Sequence, residues 1–187
     1  MSARSALRLL GQDLRWLPRN LVVNWLAPAI WMPRLARLAL YRLCGLQLAT
    51  AHISEHCRFD GTAGITIGRG TFVNADCRFD AMAPIRIGRD CAIAMGVLVG
   101  TSTHRLTEQG FDPVPSGQPV TIGDRCWIGA RATILPGVRI GDDVVIAAGA
   151  VVTGDCRSNS VYAGVPARRV RALLGGDGAD EATATGG

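Results

Sequence analysis

Large apolar side chains recur along the middle of the chain at a fixed step. They stand at Ile67, Val73 and Phe79, at Ile87, Ile93 and Val99, and then at Ile122, Ile128, Ile134, Ile140, Ile146 and Val152, six residues apart within each run. From Ile122 a longer period of eighteen also holds, setting Ile140 over Ile122, Ile146 over Ile128 and Val152 over Ile134. A unit this short cannot bury its apolar side alone and must stack on copies of itself. Three sides of six residues make one triangular coil, so the pattern predicts an all-β chain wound as a parallel β-helix. An α/β fold would need helical periodicity between the strands, and none runs between Ile53 and Val152. A sandwich would alternate over longer strands joined by hairpin turns.

The residue after the aliphatic position is often small or turn-tolerant (Gly68, Asn74, Asp80, Gly88, Gly100, Gly123, Gly129, Gly141). This places the coil corners, and a need for unusual φ, at those residues. Cys57, Cys77, Cys91, Cys126 and Cys156 each follow an aliphatic position by four. Side chains two apart on a strand share a face, so these thiols are expected inside the narrow prism as small apolar packing groups. No CxxC spacing supports a metal or redox role, and no metal site is expected.

The repeat breaks once. Between Val99 and Ile122 the step is 23 where six is expected, so about 17 residues leave the coil and return, a loop over 101–119. Insertions in solenoids lie on one face and often carry function. One of only three histidines, His104, stands at the base of this loop. An imidazole at a partly buried edge is suited to take a proton from an attacking hydroxyl near neutral pH. His52 and His56 precede the regular coils and read as structural.

Outside the repeat the ends differ. Residues 1–50 form a separate apolar and basic segment, with a helix expected from Arg34 to Leu46. Arg4, Arg8, Arg15, Arg19, Arg34, Arg37 and Arg42 face only Asp13 there, so much of the formal +5 charge sits at this end and is no nucleic-acid signal. The apolar run Leu21–Pro33 is too short and too broken by Pro28 and Pro33 to span a bilayer. It starts too late for a signal peptide. The segment is expected to cap the first coil, with peripheral membrane contact through residues 1–46 as an addition. The β-helix proper is expected over 51–165, a basic segment over 166–174 and a disordered Gly/Ala/Thr tail over 175–187.

Several of these features together resemble the hexapeptide-repeat O-acetyltransferases, in the branch of maltose, galactoside and nodulation-sugar acetyltransferases. The resemblance runs from about Ile65 to Arg171. It is carried by Thr103-His104, Gly117-Gln-Pro-Val-Thr-Ile-Gly-Asp-Arg-Cys-Trp-Ile-Gly129, Ile134-Leu-Pro-Gly137, Gly149-Ala-Val-Val-Thr153 and Ala163-Gly-Val-Pro-Ala167. It implies a left-handed coil, a cytoplasmic homotrimer with active sites between subunits, and acetyl-CoA as acyl donor. His104 would be the catalytic base, and Asn74 would lie in the acceptor pocket together with Asp80 and Met82. Trp127 would line the pantetheine arm beside Ala130, whose backbone N–H is the candidate oxyanion donor, and Ala148. Thr153, Arg168 and Arg171 would hold the cofactor phosphates. The chain departs from the family at two places. Met82 or Ala81 stands where the sugar acetyltransferases carry an Asp, with Asp80 displaced by a residue or two, and Thr153-Gly154-Asp155 replaces Thr-Lys-Asp.

The expected reaction is direct transfer of an acetyl group from acetyl-CoA to a hydroxyl of a sugar or saccharide precursor. Two other readings stay open, N-acylation of an amino sugar and a non-catalytic trimeric scaffold. A γ-type carbonic anhydrase needs three zinc-ligating histidines, and only His104 lies beyond residue 56.

Overall fold

The structure, a computed structural model, describes residues 17–50, 52–61 and 64–173. The tail expected over 175–187, and the first part of the basic N-terminal segment, lie outside the described residues.

The chain winds as a left-handed parallel β-helix whose three sheets are the faces of a triangular prism. The first face holds Gln47–Leu48 (β1), Ile65–Ile67 (β3), Ile85–Ile87 (β6), Val120–Ile122 (β11) and Arg139–Ile140 (β14). The second holds Phe72–Val73 (β4), Ala92–Ile93 (β7), Trp127–Ile128 (β12), Val144–Ile146 (β15), Ser160–Ala163 (β17) and Arg168–Ala172 (β18). The third holds Arg58–Gly61 (β2), Arg78–Ala81 (β5), Leu98–Gly100 (β8), Thr133–Ile134 (β13) and Val151–Val152 (β16). Ser102–Thr107 (β9) and Gly110–Gly117 (β10) stand apart as an antiparallel pair.

Each repeat residue points inward and stacks on its equivalents. Ile128 is in register with Ile93 and Ile146, and Ile134 with Val99 and Val152. The first coils are wider, because Phe59 pairs with Phe79 and Ile65 with Ile85, a step of twenty. Two extra residues there turn the corner from the third face to the first. Inside that wider section the Phe59 and Phe79 rings stack at 5.1 Å, and Tyr41 meets Phe59 edge-on at 5.0 Å.

The corners are displaced from the sequence expectation. None of Gly68, Asn74, Asp80, Gly88, Gly100, Gly123, Gly129 and Gly141 has a positive φ. The left-handed residues come three after the aliphatic position, at Gly70, Asp76, Asp90, Gly96, Arg125, Arg131, Gly137, Asp143 and Gly149. The glycine right after the aliphatic residue answers a different demand, close approach of the neighbouring coil. A Cβ on Gly129 would lie 2.5 Å from the Ala148 nitrogen, and one on Gly88 would lie 2.5 Å from the Gly123 carbonyl oxygen.

The five repeat cysteines are buried and free. Four of them donate across the coil step: Cys57 to Asn74 O (3.2 Å), Cys77 to Ala94 O (3.1 Å), Cys91 to Gly123 O (3.1 Å) and Cys126 to Gly141 O (3.0 Å). Burial pushes the Cys156 thiol up to about 11, which leaves no thiolate at neutral pH.

Solenoid winding starts at Gln47, inside the region read as a separate segment, because β1 already pairs with β3. Before it come α-helical residues 17–21 running into a π-helical turn, Val22–Leu26, and then an α-helix (α1), Arg34–Leu43. The helix ends three residues before the expected Leu46, and Gly45 follows at φ +90° to turn the chain. Val23, Ala27, Tyr41, Leu46 and Leu48 belong to the same apolar core as the coils. The outer edge of β2 is closed by side chains of the N-terminal segment, with Arg19 donating to Gly61 O and Asn24 bonding Phe59. The Asn24 carboxamide accepts from Phe59 N (2.8 Å) and donates to Phe59 O (3.3 Å), as a neighbouring strand's peptide would. Arg37, buried, donates to the carbonyls of Ala27, Ala29, Met32 and Ile53. The Tyr41 hydroxyl is buried with no hydrogen-bond partner among the described residues.

At the other end the segment read as a basic run over 166–174 contains a strand. β18 folds back antiparallel on β17 and closes the second face.

Candidate active site

The insertion read as a loop over 101–119 is a β-hairpin, its strands paired Thr107 with Gly110, Leu106 with Phe111 and, beyond an irregularity, His104 with Pro115 and Thr103 with Ser116. The arm projects from the prism, so most of its residues, His104 included, are exposed. This corrects the expected partly buried edge, since among the described residues of one chain nothing packs over the outer half of the arm. The imidazole is nevertheless fixed. His104 Nδ1 lies 2.8 Å from the Asp112 carbonyl oxygen across the hairpin, and Phe111 stands edge-on to the ring at 5.4 Å. A carbonyl oxygen only accepts, so Nδ1 carries a proton and, in the neutral form of the ring, Nε2 keeps its lone pair for an incoming one.

Asp80 sits at the root of the arm. Its carboxylate accepts from Ser102 Oγ at 2.6 Å, and its backbone carbonyl accepts from both N and Oγ1 of Thr101. Asp80, Ser102 and Leu135 share a shallow depression on the third face. Met82 is exposed at the same corner, where the end of the arm tucks in so closely that a Cβ on Gly117 would lie 2.8 Å from the Ala83 Cβ.

Asn74, Ala130 and Ala148 gather on another edge, between the second and third faces, with Trp127, Arg168 and Arg171 on the second face, while Thr153 follows β16 at the corner equivalent to Asp80. Asn74 accepts from the Ala75 amide through its own Oδ1 (2.8 Å). Two and three coils further on, at the equivalent corners, the amide nitrogens of Ala130 and Ala148 donate to no acceptor among the described residues. Ala130 O in turn accepts from Gly149 N, which fixes the peptide orientation. On the second face Trp127, 57% exposed, is in register with Val145, Val145 with Val161, and Val161 with Arg171. The tryptophan and the guanidinium therefore lie on one outward stripe, three strand steps or roughly 14 Å apart. Arg168 and Thr153 are exposed near the end of the coil, and Arg168 donates to Ala167 O.

Two half-sites result. One carries His104, Asp80 and Met82, and the other carries Asn74, Trp127, Ala130, Ala148 and Arg171. Asn74 and Asp80 are six residues apart along one prism face, a span of roughly 20 Å. No hydrogen bond or ring contact among the described residues joins His104 to the second set.

The coil matches known proteins. Residues 64–101 and 119–154 match the family model described as the hexapeptide repeat of succinyl-transferase. A Schizosaccharomyces pombe protein that carries an acetyltransferase name is 33% identical over 147 residues, 78% of this chain and 71% of its own. The chain belongs to the hexapeptide-repeat acetyltransferase family. A maltose O-acetyltransferase of Clostridium difficile 630 superposes with a TM-score of 0.69 at 28% identity, covering 88% of each chain. A hexapeptide-repeat acetyltransferase of Vibrio cholerae, complexed with acetyl coenzyme A, superposes at 0.70 and 28%, over 92% of this chain and 91% of that one. With a Saccharomyces cerevisiae relative of acetyltransferase name the match is 37% over 115 residues and spans 59% of that relative's length.

Sequence reasoning about this family member missed three contributors. The Asp112 carbonyl leaves no trace in residue type, because any residue has one. Ser102 and Phe111 were within reach of the sequence, as polar and aromatic neighbours of His104 on an excursion from the coil. Among the described residues no cluster of metal-ligating side chains is present.

Proposed function

We propose that this protein transfers an acetyl group from acetyl-CoA to a hydroxyl of a sugar or saccharide precursor, directly, with His104 as general base. The observation that carries the reading is the Asp112 carbonyl on His104 Nδ1, which leaves Nε2 as the free basic nitrogen at the end of a projecting arm. His104 Nε2 takes the acceptor's proton as the oxygen attacks the thioester carbonyl. The oxyanion that forms needs a donor aimed at it, and the unengaged amide of Ala130 supplies one. Collapse expels the CoA sulfur, which takes the proton back from the imidazolium and leaves as thiol. No acyl-enzyme is needed, in keeping with cysteines that are all spent on packing apart from half-buried Cys44.

The donor maps onto the second half-site, and the acceptor lies where the two half-sites of adjacent copies meet. The thioester arm lies along the edge past Trp127, Ala130 and Ala148 toward Thr153, Arg168 and Arg171, and Asn74 meets the acceptor together with Asp80 and Met82. The separation of His104 from that edge supports a homotrimer in which the arm of one copy reaches the edge of the next. The maltose O-acetyltransferase and acetyl coenzyme A neighbours support the acceptor class and the donor. The N-terminal segment adds peripheral membrane contact at the inner face of the membrane.

The test follows CoA thiol release from acetyl-CoA with free, nucleotide-linked and lipid-linked saccharides. Acceptor-dependent release, with an O-acetyl ester in the product, is expected. Bound acetyl-CoA with no release to any hydroxyl acceptor would remove the O-acetyltransferase reading.

A further inference from the structure

No acidic residue occurs between Asp13 and Glu55, while Arg15, Arg19, Arg34, Arg37 and Arg42 all fall there. In the fold Arg19, Arg37 and Arg42 donate to neutral carbonyls, of Cys44 and Gly61, of the four residues named above, and of Leu48. Among the described residues no carboxylate pairs with them. The charge of the cap is therefore uncompensated. Exposed on the same N-terminal segment stand Trp25 (72% exposed), Ile30 (73%), Trp31 (69%) and Leu35 (76%). A cluster of large apolar side chains this open marks an interaction surface. Two tryptophans on a cationic element fit the water–lipid boundary, where the ring buries and the indole N–H stays wet.

Trp25 also forms one wall of a notch completed by Pro28, His56 and Arg58. Arg58 is exposed with no ion pair among the described residues, and His56 Nδ1 lies 3.6 Å from Asp76 Oδ1. No described helix is long and apolar enough to cross a membrane, so contact would be peripheral. We infer that the Trp25, Ile30, Trp31 and Leu35 face seats in an anionic lipid bilayer, with the notch of Trp25, His56 and Arg58 taking a lipid phosphate. This rests on the peripheral contact proposed above and is independent of acyl transfer. A second copy is the poorer occupant, because two such faces would bring uncompensated guanidinium groups together.

The experiment sediments the full chain with vesicles of phosphatidylcholine alone or mixed with phosphatidylglycerol. The wild type is expected to pellet with the mixed vesicles only and to be released by salt. Trp25→Ser with Trp31→Ser should weaken binding by about tenfold or more. Arg58→Gln should weaken it by about fivefold. Absence of pelleting with anionic vesicles overturns the inference and the peripheral contact together. Equal pelleting of the tryptophan variant overturns the inference alone, leaving contact through other residues of 1–46. A changed oligomeric state in that variant, read by sedimentation velocity, would assign the face to a second copy and overturn it too. Should the variant melt early, quenching of wild-type tryptophan by brominated phosphatidylglycerol decides, and no quenching overturns the inference.

Discussion

The coils from Ile122 to Val152 and the hairpin that precedes them obey opposite rules. In the coils the inward residues stack on their equivalents in neighbouring turns, and even the cysteines serve as packing groups whose thiols satisfy carbonyls of the next turn. In the hairpin most side chains are exposed and one imidazole is held by one carbonyl. Periodicity supplies rigidity at low information, since each coil needs only its neighbours. The aperiodic arm is free to carry chemistry, provided the coil beneath anchors it, as the bond from Ser102 Oγ to Asp80 does. Stability and catalysis should accordingly respond to different residues.

Substitutions sharpen that contrast in order of size. Phe59→Ala opens the widest part of the core, between Tyr41 and Phe79, and should cost about 3–5 kcal/mol of stability by denaturant unfolding. Gly129→Ala forces a methyl against the backbone of the next coil and should cost about 1–3 kcal/mol or more. A neutral outcome there would mean that coil spacing is soft. Asn24→Ala strips the N–H and C=O of Phe59 of their partner at a closed edge and should cost about 1–3 kcal/mol. Tyr41→Phe removes a buried hydroxyl that has no partner among the described residues, so it should leave stability unchanged or raise it.

Acid gives the smallest effect. The Arg89 backbone N–H and guanidinium hold the Asp124 carboxyl below its usual range, and the Arg125 guanidinium does the same for Asp143. Both groups bind protons more readily when unfolded. Their contribution is present above the ordinary carboxylate pKa and is lost as pH falls through the lowered one. Both are solvent-facing pairs, so the loss should be slight and should fade in high salt, as melting curves from about pH 5 down to about pH 2 with and without salt would register.

The fold was legible because a six-residue repeat leaves few geometries. The buried cysteines were legible by the same phase argument. The role of the glycines was not, because a glycine that frees φ and one that admits a neighbouring backbone look alike in sequence, and only stacking tells Gly70 from Gly68. The length of the insertion was readable as a break in phase, but its hairpin was hidden, since Pro113 and Pro115 interrupt the alternation that signals a strand. Asn24 gave no signal at all, because its partner at Phe59 is 35 residues away. His104 was found by its place at the break, while its exposure and the carbonyl behind it required the fold.

The central claim is that the arm acts through His104 and that the coils merely hold it. The most direct test compares acceptor-dependent CoA release by the wild type and His104→Ala, with thermal unfolding measured on both. The account predicts a rate lower by about a hundredfold or more at an unchanged melting temperature. Undiminished release by the variant would contradict it.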